Sequence, residues 1–293
     1  MDLSNCEYLI QTPDFSKISN VERLILKGCK RLSEVDSTIE KLKRLILLDL
    51  RDCKNLLSLP DSICGLTFLK TLEISGCSKL DQLPKNIGML EQLEKLDACR
   101  TAIRKVPSSI VLLKNLQTLC FAECSGVPEG SSQIFESTSF QLPNSFSGIS
   151  SLKSLSLTKC NLPEGAIPED IGSLSSLERL ELSENNFMSL PKSISQLSNL
   201  RHFSLNNCSK LQALPKPPLS LKILQAHGCP MLNDQMTIWP SDKGFSIIDC
   251  RKSGEAERWS PYQLLPMPEE HIDILFPKFI KVRSRSVCLS GCY

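Results

Sequence analysis

The sequence has few aromatic residues and no long apolar run. Phe, Trp and Tyr make up 5% of the 293 residues, so aliphatic side chains must fill any core. No apolar stretch reaches the ~18–20 residues that a membrane-spanning helix needs. Basic and acidic residues nearly balance, 34 against 32, for a net charge of +2. This balance gives no reason to propose nucleic acid or an anionic membrane as a partner.

Motifs of catalysis and cofactor binding are also missing. The sequence contains neither a G-x-x-x-x-G-K-[ST] nor a G-x-G-x-x-G phosphate loop, and no G-x-S-x-G nucleophile motif. Its three histidines, His202, His227 and His271, form no H-x-x-x-H pair. The N-terminus lacks the basic and apolar segments of a signal peptide. We therefore expect a protein without enzymatic activity, cofactor or small-molecule ligand, in the cytoplasm or the nucleus.

What the sequence does contain is a repeat with a period near 24 residues. The template is L-x-x-L-x-L-x-x-C-x-x-L, and about ten units, the first incomplete, occupy residues 1–232. One unit has these template residues: Leu45, Leu48, Leu50, Cys53 and Leu56. The L-x-L alternation puts two leucines on one face of a short strand. Because one unit cannot bury that face alone, consecutive strands must stack in parallel.

The second half of each unit carries a different pattern. A proline is followed by apolar residues three apart, as in Pro60, Ile63 and Leu66. Side chains three apart eclipse in a 3₁₀ turn, so this spacing predicts short helices or 3₁₀ turns on the convex side. The predicted fold is an α/β leucine-rich-repeat solenoid with a curved parallel β-sheet on its concave face.

Most of the cysteines occupy one template position at the end of the strand, which we call the ladder position. Eight share it: Cys6, Cys29, Cys53, Cys77, Cys124, Cys160, Cys208 and Cys229. Asn185 and Thr101 hold it in two other units. A buried thiol acts as a small apolar group whose weak S–H donor can meet a backbone carbonyl. We expect reduced core thiols, although a disulfide ladder is geometrically conceivable. Zinc would need a second cysteine pair beside Cys120 and Cys124, and none is present.

The variable residues of the strands should face the concave surface, where a partner would bind. Our candidate partner-binding residues lie there: Arg23, Ile25, Leu47, Asp49, Arg51, Glu73, Lys95, Asp97, Arg179, Glu181, His202 and Asn206. Asp49, Glu73 and Asp97, the acidic row, would stand about 5 Å apart on neighbouring strands and repel one another unless paired. The row is either a self-paired surface ladder or a polar strip that steers a charged partner. Apolar points that a partner could cover are interspersed: Ile25, Leu47, Cys99, Cys120 and Ile223.

Several of these motifs resemble one protein family. The Ser-Gly-Cys-Ser-Lys-Leu segment at 75–80 and the L-P-x-x-I-x-x-L-x-x-L convex segments are similar to the leucine-rich repeats of plant intracellular nucleotide-binding immune receptors. Thr101-Ala102-Ile103 resembles the class with a Toll/interleukin-1-receptor domain. The resemblance implies a protein-recognition module in plant disease resistance. It implies a pathogen effector, a host guarded protein or the receptor's nucleotide-binding domain as partner, for effector sensing or autoinhibition. The family's catalytic and nucleotide-binding domains lie upstream of the repeats, so their chemistry is not carried over.

Three segments depart from the repeat pattern. Met1 occupies an interior strand position with no polar cap before it, so we expect a fragment or a truncated gene product. Residues 125–143, rich in Ser, Gly and Thr, are predicted to be a loop inserted in one unit. Residues 233–293 lose the repeat, and we expect them to form an atypical C-terminal cap and tail with a disordered end.

Two other protein classes remain as alternatives. An extracellular-type leucine-rich-repeat receptor would carry Asn at the ladder position and a Gly-x-Ile-Pro convex segment, for which the only hints are Asn185 and Ile167-Pro168. A ubiquitin-ligase substrate adaptor would need an F-box-like helical segment before the repeats, and the sequence contains none.

Overall fold

A computed structural model describes residues 1–18, 20–124 and 139–232, together with the backbone of 246–248. Within the compact unit Met1–Ser253, three-residue strands form one parallel sheet in chain order. The strands are β1 (Arg23–Ile25), β2 (Leu47–Asp49), β3 (Thr71–Glu73), β4 (Lys95–Asp97), β5 (Thr118–Cys120), β6 (Ser154–Ser156), β7 (Arg179–Glu181), β8 (His202–Ser204), β9 (Ile223–Gln225) and β10 (Ser246–Ile248). The predicted leucine-rich-repeat solenoid is confirmed. The second unit, Gly254–Tyr293, lies outside the described residues.

Strand register is constant although the length of the repeat varies. The middle residue of each strand pairs with the middle residue of the next, so Leu119 of β5 faces Leu155 of β6 across a step of 36 residues. Asp2 forms a parallel bridge with Ile25, which adds the incomplete first unit to the sheet. At the other end β10 pairs with β9. The sheet therefore continues one strand beyond residue 232, where we predicted the repeats to end; the cap and tail expected over the rest of 233–293 lie outside the described residues.

Short 3₁₀ helices form the side opposite the sheet in six of the repeats, whereas the described segment between β8 and β9 has none. The described residues contain six: Ser37–Lys41, Asp61–Gly65, Ile87–Met89, Ser108–Leu112, Glu169–Ser173 and Lys192–Gln196. Pro60 precedes the second of them with φ −66° and ψ 145°, and this helix closes with the Leu66 N–H donating to the carbonyl of buried Ile63 at 3.0 Å. The three-residue apolar spacing thus marks the inward side, as predicted. No helix in the described part of the chain is long and apolar enough to cross a membrane.

The longest unit contains both aliphatic and aromatic core residues. Phe121 and Phe140 are buried, with ring centroids 5.4 Å apart. Gln141 forms a parallel bridge with Lys105. The last residues of the predicted 125–143 loop are therefore packed into the repeat rather than looped out. The remainder of that loop, residues 125–138, lies outside the described residues.

The cysteine ladder bonds each repeat to the one before it. The Cys53 S–H donates to the Leu26 carbonyl at 3.2 Å, and the Cys77 S–H donates to the Leu50 carbonyl at 3.1 Å. The same bond recurs at 3.0–3.4 Å from five further cysteines: Cys29, Cys124, Cys160, Cys208 and Cys229. All of these thiols are free. The predicted free core thiol and its bond to a backbone carbonyl are confirmed at these seven ladder positions, whereas Cys6 is free but only half-buried.

Asn185 fills the ladder position more completely than a cysteine can. Its Nδ2 donates to the carbonyls of Leu157, in the preceding repeat, and Leu182, in its own, both at 2.8 Å. Its Oδ1 accepts the backbone N–H groups of Cys160 and Leu162 at 3.2 and 3.0 Å. Because a thiol offers one weak donor and a weak acceptor, the amide joins these two repeats with more hydrogen bonds.

We predict that Asn185→Ala destabilises the chain far more than Cys208→Ala. The first variant leaves several buried backbone groups unpaired, at about 1–3 kcal/mol each. The second loses one weak bond and leaves a small cavity, which costs about 1 kcal/mol. Urea titration should therefore show a loss of unfolding free energy of about 3 kcal/mol or more for Asn185→Ala. Similar losses for the two variants would contradict this view of the ladder.

Burial should also protect the ladder thiols from reaction. It raises the pKa of Cys124 and of Cys160, and the thiolate is the reactive form. We predict that iodoacetamide alkylates both residues in the native chain much more slowly than Cys6, which is half-buried. In urea, where the thiols are exposed, mass spectrometry should find similar rates at all three. Rapid alkylation of Cys124 and Cys160 in the native chain would overturn their assignment to the core.

Candidate partner-binding surface

The predicted partner-binding residues flank the strand centres on the outward side of the sheet, except Arg51 and Asn206, which lie in the turns just after β2 and β8. In β1 to β9 the middle residue, such as Leu48 or Leu180, is buried in the core, so its neighbours project the other way. Arg23 and Arg179 are exposed. Most of the rest are half-buried: Ile25, Leu47, Arg51, Lys95, Asp97, Glu181, His202 and Asn206. The remaining apolar points, Cys99, Cys120 and Ile223, are also half-buried.

Two members of the acidic row are paired within the chain. Both carboxylate oxygens of Asp49 accept bonds from the Arg51 guanidinium, at 2.9 Å from Nε and 2.6 Å from Nη2. Glu73 accepts a bond from Lys95 Nζ at 2.7 Å. The two acidic side chains are only 6% and 11% exposed, because their cations cover them. At Asp49 and Glu73 this geometry favours the first interpretation of the acidic row, in which its charges are paired within the chain, over a strip that steers a charged partner.

The ion pair of Asp49 fixes its charge state. Burial alone would raise the pKa of this carboxyl, but the hydrogen bonds and charge of Arg51 outweigh burial and hold the pKa below its ordinary value. The bond to Asp49, with the negative charge of the row, raises the pKa of Arg51 in turn. Both groups therefore stay ionised at neutral pH, and their bonds are satisfied within the chain.

The third acid of the row has different surroundings. Asp97 forms no ion pair within the part of the chain that the structure describes, and its Oδ1 accepts the Cys99 backbone N–H at 3.1 Å. Cys99 and Cys120 are joined by a disulfide, with 5.7 Å between their Cα atoms. This corrects our expectation that these two cysteines are separate apolar points. The two cysteines lie 21 residues apart and occupy different positions of the repeat. Their proximity follows from the strand register, which places Asp97 opposite Cys120 and so brings Cys99 diagonally beside Cys120.

The outward side of β7, β8 and β9, which we call the β7–β9 face, is more open. Arg179 Nη1 lies 3.9 Å from Glu181 Oε1, and the two side chains are 51% and 38% exposed. Glu181 also accepts a bond from the Ser156 hydroxyl at 3.0 Å. A shallow cavity of about 90 Å³ is lined by residues of all three strands, with polar and apolar side chains that include Arg179, Glu181, His202, Ser204, Ile223 and Gln225. Its charged groups are thus more accessible than those of the acidic row.

Stacked three-residue strands backed by 3₁₀ turns define the class of this molecule as a leucine-rich-repeat protein. Among solved structures it is similar to the leucine-rich-repeat protein LIC12759 of Leptospira interrogans. The TM-score is 0.52 at 22% sequence identity, over 78% of this chain and 72% of that one. A likeness at this level of identity shows a shared fold and nothing about a shared partner.

The sequence places the chain in a family. The profile of the leucine-rich repeats of RPS4B-like disease resistance proteins matches residues 80–252, which is more than half of the chain, and the chain belongs to this family. It is 40% identical over 137 residues to TMV resistance protein N of Nicotiana glutinosa, covering 47% of this chain and 11% of that protein. It is 39% identical over 242 residues to the Arabidopsis thaliana protein SUPPRESSOR OF npr1-1, CONSTITUTIVE 1. This match covers 79% of this chain and 16% of that protein. The predicted resemblance to the repeats of plant disease resistance receptors is confirmed, and the chain spans a small part of the length of these relatives.

We predict that Arg51→Gln lowers the unfolding free energy at neutral pH by about 1–3 kcal/mol, because the buried Asp49 carboxylate loses its cation. A carboxyl whose pKa is lowered by folding contributes stability above its unfolded pKa of about 4, and loses it as the pH falls through the folded value. Urea titrations of the variant and the unaltered chain should therefore draw together as the pH falls below about 4, and they should converge only below the lowered pKa of Asp49.

A matched control for this pair is Arg179→Gln, because Arg179 is exposed and loosely paired. It should change the free energy of unfolding little at either pH. If the loss of unfolding free energy in Arg51→Gln stayed the same in acid, the charge of Asp49 would not be its cause.

Proposed function

We propose that this chain is a protein-recognition module of a plant disease resistance receptor. It senses a pathogen effector or a host protein that the receptor guards, or it contacts the receptor's nucleotide-binding domain to hold it inactive. Family membership and a fold built for protein contact support this role. No catalytic constellation stands out on the described surface, and we propose a function by binding alone.

The β7–β9 face is the surface that we assign to the partner. Arg179 is exposed, Glu181 is half-buried and the two are loosely paired, so a partner can bond to them without first breaking a strong internal ion pair. Arg179 and His202 border the shallow cavity beside apolar Ile223, which combines charge, hydrogen bonding and apolar contact in one place. By contrast, a partner at Asp49 or Glu73 would have to displace Arg51 or Lys95.

A cytoplasmic or nuclear location fits the free thiols at the ladder position, and in such a compartment small thiols would open the Cys99–Cys120 disulfide. The ladder thiols are free and packed as small apolar groups, as expected where the surroundings keep thiols reduced. The extracellular-receptor alternative gains little from Asn185, since seven described cysteines make the ladder bond and one asparagine does. Several relatives that match are named as resistance proteins, and none of these names supports the ubiquitin-ligase adaptor.

The test is binding of the full chain to two kinds of probe: nucleotide-binding domains of receptors in this family, and a panel of pathogen effectors. We predict that Arg179→Glu weakens binding to the recognised probe at least ~10-fold, equivalent to ~1.4 kcal/mol. The matched control, Lys192→Glu, makes the same charge change on an exposed residue of the convex 3₁₀ helix Lys192–Gln196 and should leave the affinity unchanged.

Two outcomes would count against the proposal. If the chain, shown to be folded by circular dichroism, binds none of the probes, the recognition role fails. If it binds but Arg179→Glu and Lys192→Glu lose affinity equally, the assignment to the β7–β9 face fails while the recognition role stands.

A further inference from the structure

Asp97, Cys99 and Cys120 bring a carboxylate and two sulfur atoms together on the concave face. The ligand atoms of the three residues all lie within 4.8 Å of one another, and all three side chains are half-buried. Elsewhere in the described ranges no other three His, Cys, Asp or Glu side chains converge in this way. We call this group the Asp–Cys–Cys cluster.

The backbone holds the cluster in place. Asp97 is the last residue of β4, and Cys99 lies two residues beyond it in the following turn, where its disulfide to Cys120 holds it on the same side of the sheet. Cys120 on β5 pairs with Asp97 in the parallel register. The Cys99 N–H donates to Asp97 Oδ1 and thereby orients the carboxylate. The three groups would therefore need only side-chain rotation to surround a ligand.

Asp97 is the member of the acidic row that a cation could reach. Asp49 and Glu73 are covered by Arg51 and Lys95. Within the described chain no lysine or arginine lies within ion-pair distance of Asp97, although Arg51 is near enough to feel its charge. A carboxylate without a direct cation beside two sulfur atoms offers the donor set that a borderline-soft metal ion prefers.

We propose that the reduced Asp–Cys–Cys cluster binds a thiophilic divalent cation of the zinc type. The ligands are the thiolates of Cys99 and Cys120 and the carboxylate of Asp97, and water takes the fourth place. Tetrahedral zinc, with Zn–S of about 2.3 Å and Zn–O of about 2.1 Å, separates its ligand atoms by roughly 3.4–3.8 Å. The carboxylate and the two sulfurs lie within 4.8 Å of one another, and on reduction the two sulfurs, now bonded to each other, must move apart to reach this spacing.

The disulfide is the closed form of the same site. A small thiol opens it by exchange: its thiolate attacks one sulfur, the other cysteine leaves as a thiolate, and a mixed disulfide forms. A second small thiol attacks the mixed disulfide and releases the first cysteine, so two electrons pass to the protein and the reductant leaves as its own disulfide. Zinc then replaces any thiol protons, which pass to solvent. Metal binding and the disulfide therefore exclude each other.

The test is metal titration of the reduced, metal-free full chain, with cobalt(II) as a spectroscopic probe and zinc as competitor. Cys250, Cys288 and Cys292 are changed to serine so that they bind no metal. We expect about one equivalent of cobalt(II), with thiolate-to-cobalt charge-transfer absorption that zinc abolishes. Prior oxidation with glutathione disulfide should prevent the signal. Cys99→Ser, Cys120→Ser and Asp97→Asn should each weaken binding at least ~10-fold.

The matched control is Cys64→Ser, which removes a buried thiol from the 3₁₀ helix Asp61–Gly65, away from the cluster. It should leave the titration unchanged. Absence of the charge-transfer band from a reduced, folded chain would overturn the proposal, as would an equal band in Cys99→Ser.

A second measurement avoids the risk that a cysteine variant fails to fold. In the reduced, otherwise unaltered chain, zinc should slow iodoacetamide alkylation of Cys99 and Cys120, followed residue by residue by mass spectrometry. Alkylation of Cys6, which is half-buried but remote from the cluster, should be unaffected. Equal rates at Cys99 and Cys120 with and without zinc would show that the two cysteines bind no metal.

Discussion

The pairing of each short strand with the next, in constant register, is the interaction on which the rest of this molecule depends. A single repeat cannot bury its own leucines, so the middle residues of the strands, such as Leu48 and Leu72, are covered only because the units stack. The constraint acts on the register and not on the sequence length. The step of 36 residues between Leu119 and Leu155 pairs as regularly as the steps of 24 do.

The ladder position shows how the stack tolerates different chemistry. A cysteine joins two units with one S–H bond, whereas Asn185 joins them with several. Both side chains are buried, and both satisfy a carbonyl of the preceding unit. The outward residues of the strands need not bond a carbonyl of the preceding unit, and their identities differ from one repeat to the next. Asp49 and Glu73 are paired internally, the Asp–Cys–Cys cluster follows on β4 and β5, and the β7–β9 face is left open.

Periodicity predicts the features that depend on the inward side. The strand leucines, the proline-led turns and the ladder thiols all repeat, so the sequence suffices to place Leu50, Ile63 and Cys53 in the core. The outward side depends on side-chain conformation and on diagonal neighbours, which a period does not specify. The sequence therefore left two readings of the acidic row, and it gave no indication that Cys99 meets Cys120 across a shortened repeat. A search for cysteines diagonally opposed in adjacent units would have found that pair.

The central claim is that a partner binds the open β7–β9 face. Hydrogen–deuterium exchange of the full chain, with and without a nucleotide-binding domain or effector that it binds, tests this claim most directly. We expect slower exchange on binding in peptides that cover Arg179–Glu181 and His202–Ser204, and no change in the convex helix Lys192–Gln196 that lies between them in sequence. Slower exchange confined to the convex helices, with β7 and β8 unchanged, would contradict it.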